Sequence, residues 1–317
     1  MTHRAIAVDL GGTNLRAAVL SADGTLSCRQ AVITRAKDGP QVVVGQVAEI
    51  VAAVAQEAGV GHDCPVGIAL PGPVDPSAGI VAYMPNLAGW GAFRVGDALR
   101  AAMDRPFALG NDGDCGALGE ARHGAATAVA NLVYLALGTG VGGGIVFDGK
   151  LLTGSRGFGG EVGHVVVSMD GPRCTCGSIG CLEAFVGGWA LMREAGMVAA
   201  TADGRRMRDL AGDDPITPDI VAAAAAEGDP AALTLLERAG RALGAAMGAF
   251  INLFNPEAIV VGGGVGLIGE PLLEPARRAL ANHAFALSRD GLRIGVSALG
   301  GDTALYGAGE LALNRIA

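Results

Sequence analysis

Apolar runs of strand length open the chain, and a segment of helical period follows them. Residues 5–10 and 15–20 are two such runs, separated by a Gly-Gly-Thr-Asn turn, and Asp23-Gly24 predicts a hairpin into a third strand. Between residues 41 and 58, valines and isoleucines recur every three or four positions, which predicts an amphipathic helix. The order strand, glycine turn, strand differs from the strand, loop and helix of a Walker or dinucleotide-binding site.

Strands and helices continue to alternate through the rest of the chain. The predicted strands lie at residues 66–70, 107–111, 257–261 and 292–299, and the predicted helices at residues 95–103, 215–227, 230–253 and 304–314. Gly240, Gly244 and Gly248 recur every fourth residue in one of these helices, which indicates that another backbone approaches it closely. The mixture predicts an α/β protein.

One predicted strand ends at Asn111-Asp112. This position is at the carboxyl end of a strand, where open α/β sheets bind their ligands, so Asp112 is a candidate catalytic carboxylate. A role as the N-cap of the following helix is the structural alternative, and it is compatible with the first.

The order of elements at the start of the chain is repeated in its middle. Residues 7–24 and residues 131–150 each form a strand, a Gly/Thr turn, a second strand and an Asp-Gly hairpin. Two lobes that each present such a turn to one nucleotide predict the duplicated, two-lobed ribonuclease-H-like architecture of sugar kinases, actin and the 70-kDa chaperones. We expect a small lobe at residues 1–115, with residues 303–317 returning to it, and a large lobe at residues 116–302.

The glycine turn after the first strand is a candidate phosphate-binding loop. Backbone N–H groups at such a turn can bind phosphate oxygens, and Asp9 at the strand end would face the metal ion that accompanies the nucleotide. An ordinary tight hairpin is the alternative interpretation of the same residues.

A loop near the middle of the chain concentrates metal ligands. His164, Cys174, Cys176 and Cys181 form a Cys₃His set, and four protein ligands fill a tetrahedral zinc site without leaving a position for water. The set therefore predicts a structural zinc ion. The spacing C-x-C-x₄-C differs from that of a zinc finger, so it does not indicate nucleic-acid binding. Three reduced loop cysteines without a metal are the alternative.

Two glutamates flank these ligands. Glu161 precedes His164 by three residues and Glu183 follows Cys181 by two, so a folded loop would bring both carboxylates near one imidazole. Each hydroxyl of a sugar both donates and accepts a hydrogen bond, and two carboxylates with an N–H donor suit such a ligand. Surface charges on a loop are the alternative.

Composition limits the partners and the compartment. The 317 residues carry a net charge of −8 with a pI near 5.1, which argues against nucleic acid and anionic membranes as partners. Half of the residues are hydrophobic, but no apolar run reaches the roughly 18 residues of a membrane span, and no signal peptide is evident. Clustered cysteines favour a reducing, cytoplasmic environment over a disulfide framework.

The chain resembles the ROK family of bacterial sugar kinases and related repressors, most closely its ATP-dependent glucokinases. The resemblance covers nearly the whole chain and rests on segments that keep the family's order: DLGGTNLR, LPGPVD, PNLAGW, NDGDCGALGE, LGTGVGGGIV, GEVGH, CTCGSIGCLE and VVGGGVG. ROK repressors carry a helix-turn-helix segment ahead of the kinase-like body. Because only eight residues precede Asp9, we expect the enzyme branch.

The resemblance implies phosphorylation of a hexose, with glucose favoured, and it implies the roles of the site residues. Asp112 would be the general base, and the hexose would be bound by Gly72, Asn86, Asn111, Asp112, Glu161, His164 and Glu183. ATP with Mg²⁺ would be bound by Asp9, Gly11, Gly12, Thr13, Asn14, Gly138, Thr139, Gly140, Gly263 and Gly264. The resemblance also implies a structural Zn²⁺ and a homodimer.

Other functions remain open at the level of the sequence. A kinase for N-acetylmannosamine or another hexose would keep the mechanism and differ in the pocket around C2, and polyphosphate could replace ATP as the donor. A non-catalytic, sugar-responsive regulator is a further alternative. An actin-like or chaperone-like ATPase would hydrolyse ATP without sugar and would have no use for Glu161, His164 and Glu183.

Overall fold

The computed structural model describes residues 4–82, 84, 87, 89–91 and 93–314. The chain divides into two compact units. The first comprises Met1–Ala130, Gly144–Gly160 and Ala298–Ala317, and the second comprises Asn131–Gly143 and Glu161–Ser297. Among the described residues, no helix combines the length and the apolarity that a membrane span requires.

The elements follow one another along the chain as the alternating pattern predicts. Up to residue 130 they are β1 (Arg4–Leu10), β2 (Asn14–Ser21), β3 (Leu26–Ile33), α1 (Pro40–Ala58), β4 (Val66–Leu70), β5 (Val74–Asp75), β6 (Ile80–Val81), α2 (Val95–Ala102), β7 (Phe107–Asn111) and α3 (Asp112–His123). After residue 130 they are β8 (Leu132–Leu137), β9 (Val141–Phe147), β10 (Lys150–Leu151), α4 (Glu183–Val186), α5 (Gly188–Ala199), α6 (Arg205–Ala211), α7 (Pro218–Ala226), α8 (Pro230–Phe254), β11 (Ala258–Gly262), α9 (Gly263–Gly266), α10 (Glu270–His283), β12 (Arg293–Val296) and α11 (Thr303–Asn314).

Two five-stranded sheets have the same topology. The first has the order β3-β2-β1-β4-β7, with β1 antiparallel to β2 and parallel to β4. The second has the order β10-β9-β8-β11-β12, with β11 parallel to both β8 and β12. In each sheet, the first three strands along the chain form antiparallel hairpins and the last two add in parallel. The predicted α/β fold class, with its duplicated ribonuclease-H-like architecture, is confirmed.

Helix α1 illustrates how the apolar period builds the core of the first unit. Its side chains Val43, Val47, Ile50 and Val54 are almost fully buried in one cluster with the valines and leucines of the first sheet. Burial of each such side chain contributes about 1.5–3 kcal/mol. Gly59 ends the helix in the left-handed conformation, with φ of 61°, which glycine adopts without steric cost.

Helices α8 and α10 pack closely through glycine in the second unit. A Cβ atom added to Gly240 would lie 2.6 Å from the carbonyl oxygen of Leu272, and one added to Gly248 would lie 2.6 Å from Cβ of His283. The four-residue glycine repeat therefore lets another backbone approach, as its spacing predicts.

The last helix belongs to the first unit. Leu305 and Ala308 of α11 pack with Ala7 of β1, Ala69 of β4 and Cys115 of α3 in a buried cluster. Because α3 packs against α11, the first unit continues to Ala130, whereas the sequence predicts a boundary after residue 115.

Other differences from the sequence analysis are local. Helix α7 begins at Pro218 and not at residue 215, because Thr217 accepts a hydrogen bond from the N–H of Ile220 and caps the helix. Helices α4, α5 and α6 are not anticipated by the apolar pattern. Glycines and short apolar runs mask the helical period in this part of the sequence.

Candidate functional site

Asn111 and Asp112 lie at the junction of β7 and α3 in the first unit. Asn111 caps the helix, because its Oδ1 accepts the N–H groups of Gly113 at 2.8 Å and Asp114 at 3.2 Å. Its Nδ2 donates to the carbonyl oxygen of Gly72 at 2.9 Å. The capping role therefore falls to Asn111, and the carboxylate of Asp112 occupies the first helical position, where the helix dipole favours negative charge.

Three of the predicted sugar-binding residues thus come together in the first unit. Gly72 has φ of 92°, a conformation that favours glycine, and its carbonyl oxygen holds the Asn111 side chain. Asp112 follows directly, and its Oδ1 accepts the N–H of Gly113 at 2.8 Å. Asn86, the fourth predicted residue of this part of the chain, lies outside the described residues.

The first glycine turn is closed by a residue that the sequence analysis does not identify. The N–H of Gly11 donates to the carbonyl oxygen of Asn14 at 2.8 Å. Thr34 is buried, its hydroxyl donates to the carbonyl oxygen of Gly11 at 2.8 Å, and its N–H donates to that of Thr13 at 2.8 Å. A threonine some 20 residues along the chain carries no sequence signal for this role.

Asp9 is paired with an arginine on the neighbouring strand. The register of β1 and β2 places Asp9 opposite Arg16, whose Nε donates to Oδ2 of Asp9 at 3.2 Å. Nη1 of Arg16 also lies 3.6 Å from Oδ1 of Asp302. Burial raises the pKa of the Asp9 carboxyl above its ordinary value, although the positive charge of Arg16 opposes the rise.

The second glycine turn is held by the start of α5 in the second unit. The N–H of Gly138 donates to the carbonyl oxygen of Gly140 at 2.9 Å. The N–H groups of Gly188 and Trp189 donate to the carbonyl oxygens of Gly138 and Thr139 at 2.8 and 3.0 Å. The helix that holds this turn is one that the apolar pattern does not predict.

The predicted adenosine-binding glycines also lie in the second unit, directly after β11. Gly263 has φ of 78° and packs against the backbone of Leu137 at the end of β8. A Cβ atom at Gly264 would meet nothing within 4 Å, so this position borders open space.

His164 and the three loop cysteines form one compact group. Nδ1 of His164 lies 3.7 Å from Sγ of Cys174, and the Sγ atoms of Cys176 and Cys181 lie 3.8 Å apart. All four ligand atoms lie within 4.8 Å of one another. A tetrahedral ion with bonds of about 2.3 Å separates its ligands by about 3.8 Å, so this donor set fits one zinc ion.

Glu183 begins α4 beside this group, and its carboxylate is held from two directions. Oε2 accepts the N–H of Val141 at 3.0 Å, and Oε1 accepts the hydroxyl of Thr175 at 2.7 Å. Burial disfavours the charged form, but these hydrogen bonds outweigh it and lower the pKa of Glu183. Thr175 and Val141 are further residues that the sequence analysis does not identify.

The second predicted carboxylate behaves differently. Loss of hydration raises the pKa of Glu161, an effect that the charge of His164 opposes and the charge of Glu183 increases. The main chain connects the pair directly, because the N–H of His164 donates to the carbonyl oxygen of Glu161 at 3.0 Å. One imidazole is thus accompanied by two carboxylates whose pKa values are shifted in opposite directions.

The two sheets of equal topology, each with a glycine turn after its first strand, define the duplicated ATPase fold that actin and hexokinases share. Each unit of this fold contains some of the predicted site residues. The sequence matches the ROK family over residues 5–315, and the chain belongs to that family.

Relatives of known name and structure agree with this assignment. A glucokinase from Thermotoga maritima is 35% identical over 314 residues, which cover 98% of this chain and 98% of the relative. A ROK family glucokinase from Streptomyces griseus, solved in complex with glucose and AMPPNP, is 32% identical with a TM-score of 0.83 and covers 98% of this chain and 99% of its own. A ROK hexokinase from Thermus thermophilus is 34% identical with a TM-score of 0.83, covering 99% of each chain.

Proposed function

We propose that this protein phosphorylates a hexose with ATP, and that glucose is its substrate. The observation that carries the proposal is the group of Glu161, His164 and Glu183, in which two carboxylates accompany one imidazole in the second unit. Such a group suits the paired donor and acceptor character of sugar hydroxyls. The relatives named glucokinase, and the one bound to glucose and AMPPNP, support the choice of substrate and donor.

Asp112 is the proposed general base. The hydroxyl oxygen of the hexose attacks the γ-phosphorus, the bond from this phosphorus to the β–γ bridging oxygen breaks, and Asp112 takes the hydroxyl proton. A positioned base of this kind contributes about 10²–10⁴-fold to the rate. The capping bonds of Asn111 support the assignment, because they fix the first turn of α3 and with it the Asp112 backbone.

The remaining proposed contacts to the hexose come from both halves of the sequence. We assign them to Gly72, Asn86, Asn111, Glu161, His164 and Glu183. Nδ1 of His164 lies beside Cys174, which leaves Nε2 as the ring nitrogen for a sugar hydroxyl. The hydrogen bonds to Gly72, Val141 and Thr175 support these roles, because they restrict Asn111 and Glu183 to one orientation each.

The nucleotide contacts are assigned to the two glycine turns and the glycines after β11. They are Asp9, Gly11, Gly12, Thr13, Asn14, Gly138, Thr139, Gly140, Gly263 and Gly264. Backbone N–H groups in such turns bind phosphate oxygens. Mg²⁺ that arrives with ATP would neutralise charge on the phosphates, and the carboxylate of Asp9 would face this ion. Arg16 binds Oδ2 of Asp9, so this role falls to Oδ1.

We also propose that His164, Cys174, Cys176 and Cys181 hold a structural zinc ion. The compact arrangement of their ligand atoms supports this, and the ion would fix the loop that carries Thr175 and precedes Glu183. Zinc-bound thiolates are consistent with a protein that works in the reducing cytoplasm. We further propose a homodimer that binds no nucleic acid, in line with the net charge of −8.

The test is a coupled assay of ADP release with Mg-ATP against glucose, mannose, fructose, N-acetylglucosamine and N-acetylmannosamine. We expect turnover with glucose to exceed the others. Faster turnover with an N-acetyl sugar would keep the mechanism and change the substrate. ATP hydrolysis that is indifferent to every sugar would refute the kinase assignment, and hexose binding without turnover would favour a sugar-responsive regulator.

A further inference from the structure

Thr175 lies between two of the clustered cysteines and contacts the carboxylate of Glu183. Cys174 and Cys176 are its neighbours in the chain, and its hydroxyl donates to Oε1 of Glu183 at 2.7 Å. Turns on either side fix this segment, since the N–H of Cys174 donates to the carbonyl oxygen of Ser178 at 2.8 Å. The backbone hydrogen bonds of the loop, and not packing of the Thr175 side chain, therefore determine the position of this hydroxyl.

The other oxygen of Glu183 is bound by a different segment. Oε2 accepts the N–H of Val141, which directly follows the glycine turn at Gly138–Gly140. Space around this oxygen is limited, because a Cβ atom at Gly140 would lie 2.5 Å from it. Each carboxylate oxygen can accept two hydrogen bonds, so Oε2 retains capacity for a ligand hydroxyl, whereas Oε1 also lies 3.5 Å from Sγ of Cys174.

We infer that Thr175 is a positioning residue of the hexose site: its hydroxyl, together with the N–H of Val141, fixes the orientation of the Glu183 carboxylate for the sugar. This inference rests on the proposed function. Without the hydroxyl, Oε1 keeps only the weaker contact with Sγ of Cys174 at 3.5 Å, and the carboxylate can rotate about the Val141 hydrogen bond more freely. A freely rotating carboxylate binds a sugar hydroxyl less well, because binding must then restrict it.

A purely structural role for Thr175 makes a different prediction. Its side chain is exposed, so removal of its hydroxyl opens no cavity in a core. Hydrogen bonds to charged groups contribute more than those between neutral groups. Removal of the hydroxyl should therefore weaken sugar binding and leave the metal site unchanged.

The experiment compares Thr175→Val with Thr175→Ser. The valine keeps the shape and loses the donor, whereas the serine keeps the donor. For Thr175→Val we expect the KM for glucose to rise about tenfold, in line with the loss of a hydrogen bond to a charged group, while kcat and the KM for ATP change less than about twofold. Thr175→Ser should restore the KM for glucose.

A matched control is Thr201→Val, which removes a hydroxyl that donates to the carbonyl oxygen of Val198 at 2.7 Å elsewhere in the second unit. It should leave the KM for glucose unchanged. Zinc content should equal that of the parent protein in all three variants, and Thr175→Ser should also keep the parent Tm. Calorimetric titration of each variant with glucose alone gives the same comparison without turnover.

Three outcomes would overturn the inference. An unchanged KM and an unchanged dissociation constant for glucose in Thr175→Val would show that the hydroxyl does not position Glu183. Loss of zinc from that variant would show that Thr175 supports the metal site and not the orientation of Glu183. Failure of Thr175→Ser to restore glucose binding would show that the shape of the side chain, and not its hydroxyl, is responsible. If the parent protein neither binds nor phosphorylates any hexose, the proposed function itself fails and this inference falls with it.

Discussion

The two sheets share one strand order but differ in the residues of their first strands and in the groups that close their glycine turns. When Gly11 is aligned with Gly138, Asp9 of β1 corresponds to Ala136 of β8. The turn in the first unit is closed by the hydroxyl of Thr34, and the turn in the second unit by backbone N–H groups at the start of α5.

The residues proposed for the site lie on different kinds of structural element in the two units. The first unit places carboxylates on or directly after strands, at Asp9 in β1 and Asp112 after β7. The second unit carries the proposed hexose-binding carboxylates on a segment added after the duplicated hairpins, from Glu161 to Glu183. Duplication thus provides the scaffold twice, while the side chains proposed for the site differ between the two halves.

The largest effect is expected at Asp112. If this carboxylate is the base, Asp112→Ala should lower kcat by about 10²–10⁴-fold, because the attacking hydroxyl loses its proton acceptor, while calorimetric affinity for glucose changes little. Tm should fall only slightly, through loss of the favourable charge at the helix N-terminus, since Asn111 and not Asp112 caps α3. Asn111→Ala is the informative partner, because it removes the cap and should lower Tm. Full turnover by Asp112→Ala would refute the role of Asp112 as the general base.

The next effect tests the added segment of the second unit. Cys174→Ser replaces one proposed zinc ligand, so metal analysis should show lost zinc. Glucose should bind at least about tenfold more weakly, comparable with the 10–100-fold that outer-shell changes cost at metal sites. Cys64→Ser, at a buried cysteine of the first unit outside the cluster, controls for the change of chemistry. Parent protein that binds glucose normally without zinc would contradict the proposed role of the metal.

A smaller effect is expected where the second glycine turn meets Glu183. In Gly140→Ala the new Cβ would lie 2.5 Å from Oε2 of Glu183, and relief of this overlap should cost about 1–3 kcal/mol of unfolding free energy. Gly138→Ala, two residues earlier, would meet nothing within 4 Å and should keep the parent Tm. Equal Tm values for the two variants, measured by calorimetry, would show that Glu183 adapts freely.

The smallest effect concerns the pKa of Asp9. Burial raises the pKa of Asp9 in the folded protein, so its ionisation favours the unfolded state increasingly as pH rises above the unfolded value. Asp9→Asn should therefore raise Tm at pH 7 by a small amount, on the order of 2 °C, and this gain should shrink toward pH 4. Asp302→Asn alters the other carboxylate near Arg16 and controls for the loss of an ion pair. A gain that grows toward acid pH would show that folding lowers, and does not raise, the pKa of Asp9.

Local patterns were sufficient for most of the scaffold. The apolar runs and glycine turns predict the strands of both sheets, and the repeated order of elements predicts the common topology. The spacing of His164 and the three cysteines indicates the ligand group, because residues on one short loop need little tertiary information to meet.

The same patterns do not predict the contacts that hold the predicted site residues in place. Val141 and the start of α5 act through backbone N–H groups, which every residue except proline possesses. Thr34 and Arg16 act through strand pairing, whose register depends on the whole sheet. Thr175 differs, since its place between two cysteines is a visible signal for a side chain held by the metal loop.

The return of α11 to the first unit has a consequence during protein synthesis. This helix begins 180 residues after α3 ends, yet it covers the buried surface around Ala7, Ala69 and Cys115. A ribosome adds roughly 5–20 residues per second, so about 10–40 s pass between the emergence of the two helices. During this interval the nascent chain exposes an apolar face of its first sheet, which makes it a substrate for chaperones until α11 has been synthesised.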